Sequence, residues 1–177
     1  MKRTFAIVLC ALLMLAVLAG CGGKAEEVSD DLYQYNYNNG TVRLQYDSEQ
    51  LIIYDLFETS QSVMFAPDGA SPCSVQVIAK KDDRSIDAAS YLQQFQSTVS
   101  QSLEITDVEE SSVYSGGITT AQRSFTIPME DGSFHYRLKM QSNDKSTMLI
   151  IMTWDDSLTP KQLAAFEQVY ASARMTW

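Results

Sequence analysis

Histidine and cysteine are scarce in this chain, and each shortage excludes a kind of site. Among its 177 residues there is one histidine, His135, and there are three cysteines, Cys10, Cys21 and Cys73. A single histidine excludes zinc sites built from several imidazoles. Cys10 and Cys21 fall in or next to an N-terminal signal, so no pair of cysteines remains for a structural disulfide. We expect Cys73 to act as a small, partly buried apolar residue. The alternative is a reactive thiol, but no basic residue stands near it in sequence to lower its pKa.

Motifs of common enzyme classes are missing as well. The sequence has no Gly-x-Ser-x-Gly elbow, no Walker loop and no dinucleotide fingerprint. His135 alternates with Arg137 and Lys139, which is typical of a histidine on a sheet face. Asp155-Asp156 is the best carboxylate pair, yet it lacks the spacing of a calcium-binding EF-hand loop, and a polar turn is the simpler interpretation. The sequence therefore predicts no enzyme activity, no metal site and no cofactor.

Positive charge is the third shortage. The chain has 13 lysines and arginines against 22 aspartates and glutamates. Losing Lys2 and Arg3 with a signal peptide leaves 11 basic and 22 acidic residues, a net charge of −11. Such a charge argues against a nucleic-acid partner and against peripheral binding to anionic lipid.

The one long hydrophobic run lies at the start of the chain. Phe5 to Ala19 is apolar throughout and follows Lys2 and Arg3. Its fifteen residues are typical of a secretory signal and are short for a membrane span, which needs about 20. A short transmembrane anchor is the alternative. The next residues, Leu18-Ala19-Gly20-Cys21, resemble the lipobox of bacterial lipoproteins. That resemblance implies a diacylglyceryl group on Cys21 and cleavage between Gly20 and Cys21.

The lipobox sets the predicted organisation of the chain. Residues 1–20 are a signal peptide, residues 21–31 a lipidated flexible tether, and residues 32–177 a single domain. Two acyl chains on Cys21 hold a protein durably, whereas one chain binds marginally. We expect the protein on the outer face of the cell membrane, with the membrane as one partner through that lipid.

Two alternating runs flank Asn39-Gly40 and predict a β-hairpin. A two-residue turn there pairs Tyr37 with Val42, Tyr35 with Leu44 and Tyr33 with Tyr46. Every apolar residue then meets another apolar one, which a slip by one residue would destroy. Tyr33, Tyr35 and Tyr37 are a possible ligand face, since tyrosine is enriched where proteins meet ligands. Core packing is the alternative role for them.

The rest of the chain reads as strands and two helices. Strands are predicted over 51–57, 62–66, 74–80, 104–114 (an edge strand), 121–129, 133–141 and 148–154. One helix begins after a Ser85 cap and runs to 103, and the other follows Thr159 and runs to 174. A type I′ turn at Asp131-Gly132 pairs Met129 with Phe134, and a loop at 143–145 pairs Leu138 with Ile150. The last strand is apolar on both faces, so a layer must cover each side.

Taken together, the elements predict an α+β domain around an antiparallel sheet. The order resembles the PsbP-like superfamily, including the DcrB-like lipoproteins. The likeness rests on the Gly40-to-Tyr46 strand, the Ser-capped helix, the Gly116-Gly117 turn and the terminal helix that ends in an aromatic residue. It implies an α/β/α sandwich with accessory or binding roles and offers no shared catalytic residues.

The leading functional hypothesis is a non-catalytic domain at the cell surface that binds an envelope protein or a small ligand. One alternative is an envelope hydrolase that uses His135 or the Asp155-Asp156 pair. The other is a structural partner in a larger surface complex.

Overall fold

A computed structural model describes residues 24–29, 32–37, 42–54, 62–67, 72–81 and 86–176. This part of the chain forms two helices, α1 (Ala88–Ser100) and α2 (Pro160–Ser172). Its strands are β1 (Lys24–Ser29), β2 (Leu32–Tyr37), β3 (Val42–Tyr46), β4 (Ile52–Ile53), β5 (Ser62–Ala66), β6 (Ser74–Lys81), β7 (Thr106–Ser115), β8 (Ile118–Met129), β9 (Gly132–Ser142), β10 (Ser146–Asp155) and β11 (Arg174–Met175). The predicted signal peptide, lipobox and Cys21 lie outside the described residues. No helix in the described part is long and apolar enough to cross a membrane.

The strands form two antiparallel sheets. The small sheet has the order β1-β2-β3-β11, and the large sheet has the order β4-β5-β6-β10-β9-β8-β7. Together with the two helices they give the predicted α+β class.

Strand β10 lies in the middle of the large sheet and separates two hydrophobic cores. Met148, Ile150 and Met152 face a core shared with α2 and the small sheet. Leu149 and Ile151 face the other core, which α1 covers. Because each side of this strand buries a row of apolar side chains, one helix packs on each face. This arrangement confirms the three-layer architecture.

The helix starts follow from local hydrogen bonding. Asp87 caps α1, because its carboxylate accepts a hydrogen bond from the Ser90 amide at 2.6 Å. The prediction that Ser85 caps this helix is therefore wrong by two residues; Ser85 itself lies outside the described ranges. At α2, Thr159 and Gln162 form the predicted capping box, with Pro160 at the first helical position.

The small sheet contains one confirmed prediction and one correction. Strands β2 and β3 pair in the predicted register, with Tyr35 opposite Leu44. Residues 24–29, however, form β1 and pair with β2, so the flexible tether predicted for 21–31 is wrong over these residues. Polar and charged residues suit an edge strand as well as they suit a linker, because charge on an edge discourages stray pairing.

Two registers in the large sheet differ from the predicted ones. In the β8–β9 hairpin, Met129 pairs with Gly132, so the turn lies at 130–131 and the register is shifted by two residues. Between β9 and β10, Leu138 pairs with Ile151 and not with Ile150, a shift by one residue. The shift by two between β8 and β9 keeps every side chain on the same face of the sheet. The shift by one between β9 and β10 still pairs apolar residues, because β10 is apolar on both faces. Hydrophobic matching therefore opposes neither shift.

The edges of the large sheet agree with the sequence only in part. Strand β7 lies at one edge, as predicted for the acidic segment 104–114. Gly116 and Gly117, with φ of +59° and +80°, form the turn into β8. At the other edge β4 has two residues where the sequence predicted a strand over 51–57. Residues 55–57 fall in a gap of the described ranges.

Candidate binding face

Strands β7, β8 and β9 present a polar face on the side of α2. Directly paired residues lie on one face of a sheet. The register therefore groups Glu109 with Ser124 and Arg137, and Ser111 with Gln122. We call these five residues the open polar face. They surround a surface depression of about 180 Å³, which Glu110 and Arg123 also line.

Arg137 is the central cation of this face. Its Nη1 donates to both carboxylate oxygens of Glu167 on α2, at 2.7 and 2.8 Å. Its guanidinium also lies over the Tyr170 ring, 4.6 Å from the ring centre. The two charged side chains are 39% and 43% exposed, so water screens their attraction and the pair contributes little stability. A ligand carboxylate could therefore replace Glu167 at small cost.

Tyr170 forms the border between α2 and the open polar face. Its hydroxyl lies 3.1 Å from Gln122 Oε1 and 3.2 Å from the Leu138 carbonyl oxygen, and its single proton is shared between these two acceptors. Burial raises the pKa of Tyr170 to about 12, although the nearby Arg137 lowers it. The hydroxyl is therefore neutral at physiological pH and can only position Gln122, not supply a charge.

Lys139 lies beneath the Tyr170 ring and is buried, with 7% of its surface exposed. Its Nζ donates to the Tyr170 carbonyl and lies 4.6 Å from the centre of the ring. Burial, and after it the positive charges of Arg174 and Arg137, lower the pKa of Lys139 to about 8, although the carboxylate of Glu167 acts in the opposite direction. This side chain supports Tyr170 from below and does not itself reach the open polar face.

His135 occupies a structural position on the sheet. Its ring stacks on Trp154, with centroids 5.1 Å apart, and its Nδ1 lies 3.2 Å from the Thr126 hydroxyl. Trp154 is paired directly with His135, so the next residue, Asp155, points to the opposite face. The His135 ring therefore contacts Trp154 and Thr126, while Asp155 lies on the other face of β10.

Asp155 instead closes the turn before α2. It accepts a hydrogen bond from the Ser157 amide at 2.9 Å, and its Oδ1 lies 3.4 Å from the buried Cys73 thiol. Burial would raise the pKa of Asp155, but these hydrogen bonds outweigh it and lower the pKa below the usual value. Within the described ranges, no three His, Cys, Asp or Glu side chains cluster as metal ligands do.

The tyrosines proposed as a ligand face pack into the protein where they are described. Tyr35 is 2% exposed and meets Phe65 edge-on at 6.0 Å. Tyr33 is half-buried against Tyr46 at 5.6 Å. Only the backbone pairing of Tyr37 is described. Tyr35 therefore packs in the core, which was the alternative role predicted for it, and a surface ligand cannot reach it.

Sequence reasoning placed Arg137 and Lys139 on one strand face. It did not find that Tyr170 contacts both of them or that Glu167 pairs with Arg137. The residues are separated by about thirty positions, and no local pattern records which part of α2 crosses β9. The alternation of His135, Arg137 and Lys139 was the one available signal that this face is polar.

No protein-family model and no curated protein matches the chain. Among solved structures, the solution structure of cyanobacterial PsbP (CyanoP) from Synechocystis sp. PCC 6803 matches with a TM-score of 0.61. The match covers 90% of this chain and 99% of that one. The fold is PsbP-like. At 14% sequence identity the likeness extends to the fold alone, so the PsbP-like fold assigns no residue of the open polar face a role.

Proposed function

We propose that this protein is a lipid-anchored, non-catalytic binding or accessory domain on the outer face of the cell membrane. The observation that carries the binding role is the open polar face. There Arg137, Gln122 and Ser124 offer hydrogen-bond donors and acceptors beside an exposed depression. The PsbP-like fold agrees with an accessory role, and the lipobox supports the anchor at Cys21.

The surroundings of the open polar face favour a peptide or protein ligand over a small molecule. Val113 pairs with Thr120, one row beyond Ser111 and Gln122, and lies on the same side of the sheet. Its side chain is 62% exposed, and its neighbour Tyr114 is 75% exposed. An open depression with exposed apolar and aromatic side chains nearby suits a protein interface better than the enclosed, concave pocket of a small molecule.

The anchor is tested by labelling cells with a fatty-acid analogue. Cys21→Ser should abolish the label on this protein and leave either the precursor or a released form. Cys73→Ala is the matched control, because it removes the other cysteine of the mature chain and should leave labelling intact. A Cys21→Ser protein that stays labelled and membrane-bound would show that the lipoprotein reading is wrong.

The binding face is tested by photo-crosslinking in cells. A photoreactive amino acid at the exposed Ser111 should give a discrete adduct, and the same amino acid at Ser97, exposed on α1, should not. Arg137→Gln should weaken the Ser111 adduct, because it removes the central cation of the face. Equal adducts at both positions, or an adduct indifferent to Arg137, would contradict a binding role for this face.

A further inference from the structure

Three cationic residues lie in one cross-strand row of the small sheet. The register pairs Lys24 with Asn36, Asn36 with Arg43, and Arg43 with Arg174. The side chains of Arg43 and Arg174 are exposed, opposite the face that carries Val42 and Leu44 into the core. Four strands about 4.8 Å apart make this row about 14 Å wide. We call Lys24, Arg43 and Arg174 the cationic row.

The row is unusual for this chain in two ways. The mature sequence has 11 basic residues against 22 acidic ones, yet three of the basic residues share one row. Arg43 and Arg174 are also directly opposite each other in adjacent strands, and like charges in that position oppose pairing. Arg174 offsets part of this repulsion by donating to the carbonyl oxygens of Ala171 and Ala173 at the C-terminal end of α2. A negatively charged partner at the exposed Arg43 would offset the remainder.

The position of the row in the chain indicates what that partner is. Lys24 follows Cys21 by three residues, so their Cα atoms are at most about 11 Å apart. Strand β1 begins at Lys24, which leaves Gly22 and Gly23 as the whole connection between the strand and the lipidated residue. A lipid on Cys21 therefore keeps this end of the small sheet within reach of the headgroups.

We propose that the cationic row contacts anionic lipid headgroups and so fixes the orientation of the domain on its membrane. The proposal rests on the lipid anchor proposed above. The net charge of −11 argues against binding of the whole protein to an anionic surface. In the anchored protein, however, the lipid supplies the attachment, and the charges decide only how the domain is rotated. Turning the cationic row toward the headgroups and the acidic remainder away is then the orientation of lowest electrostatic energy. The open polar face would keep a defined angle to the membrane as a result.

The test uses the lipidated full-length protein, purified from membranes and reconstituted on vesicles. A thiol-reactive fluorophore is attached at Gln34→Cys, next to the row, or at Ser97→Cys on α1 across the large sheet, both in a Cys73→Ala background. Lipids with a nitroxide headgroup quench whichever label lies at the surface. The vesicles contain either phosphatidylcholine alone or phosphatidylcholine with phosphatidylglycerol, and sedimentation reports anchoring separately.

On anionic vesicles we expect strong quenching at position 34 and weak quenching at position 97. Arg43→Gln should lower the ratio of quenching at position 34 to quenching at position 97 about fivefold, because this is the equilibrium factor that one basic residue contributes near an anionic surface. Arg43→Lys should restore the ratio, and Lys161→Gln, which removes a charge at the start of α2, should leave it unchanged. Neutral vesicles or high salt should also abolish the difference.

The outcomes separate this proposal from the anchor on which it rests. A protein that sediments with both kinds of vesicle but shows equal quenching at the two sites overturns the orientation and leaves the anchor standing. A quenching ratio that changes neither with Arg43→Gln nor with the charge of the lipid also overturns the orientation and leaves the anchor standing. A protein that sediments with neither vesicle overturns the anchor, and the orientation falls with it.

Discussion

Replacing Lys139 by methionine tests the buried contact that supports the open polar face. Lys139 is 7% exposed, and burial is the main reason why its pKa falls from 10.5 to about 8. The folded protein therefore holds this proton less tightly than the unfolded chain does. Methionine keeps the unbranched shape without the charge, so it should remove the cost of burying the ammonium group.

The sign of the pH dependence follows from proton binding. Between pH 8 and 10.5 the unfolded chain carries more of the proton on residue 139, so stability rises with pH across this window. Two pKa values that differ by about 2.5 units correspond to about 2 kcal/mol of added unfolding free energy between pH 8 and pH 10. Below pH 8 both states are protonated, and the full cost of burial remains.

Tyr170 gives the opposite trend at higher pH. Its pKa is raised from 10.0 to about 12, so the unfolded chain loses this proton first, and stability falls by about 2 kcal/mol between pH 10 and 12. The parent protein should therefore be most stable near pH 10 as far as these two groups are concerned. Tyr170→Phe should remove the fall at high pH and leave the rise below it.

Urea unfolding followed by circular dichroism at each pH measures these differences. The unfolding free energy of the parent minus that of Lys139→Met should become about 2 kcal/mol more positive between pH 8 and pH 10. Lys161→Met, at an exposed lysine, should show no such trend. A difference between parent and Lys139→Met that is flat across this range would refute the reasoning, because it would mean that Lys139 is solvated in the folded state.

Two further substitutions test the architecture around this site. Leu149→Ala and Ile150→Ala should each cost about 2–5 kcal/mol in chemical unfolding, because each side chain is buried in a different core; a nearly neutral Leu149→Ala would mean that the α1 side is open. Gly132→Val should cost about 1–3 kcal/mol, because φ is +132° and an added Cβ would lie 2.9 Å from Asp156 Oδ2; an unchanged melting temperature would contradict this turn geometry.

Local physics was enough wherever a single strong signal dominated. The β2–β3 register followed from sequence because each strand has only one apolar face, so a slip by one residue would expose that face. The capping box at Thr159 followed because its donors and acceptors lie within four residues of each other. Polar alternation through Arg137 likewise predicted a polar sheet face.

The registers of the β8–β9 and β9–β10 pairs could not be predicted from local sequence patterns. A shift of β8 by two residues leaves its faces unchanged, and β10 can slip by one because both of its faces are apolar. Only the packing of both cores at once selects the pairing of Leu138 with Ile151. The same selection decides which polar residues of β9 lie under α2.

What the sequence determined by itself about this protein is therefore its class and most of its elements. Each of these depends on neighbours along the chain or on a simple period. The tertiary structure alone decided that Tyr170 covers Lys139 and that Arg43 faces Arg174 across two strands. Arg43 and Arg174 are more than a hundred residues apart, and the second lies in a strand of two residues that has no period to read. Long-range contacts of this kind come from how layers pack, which no local pattern encodes.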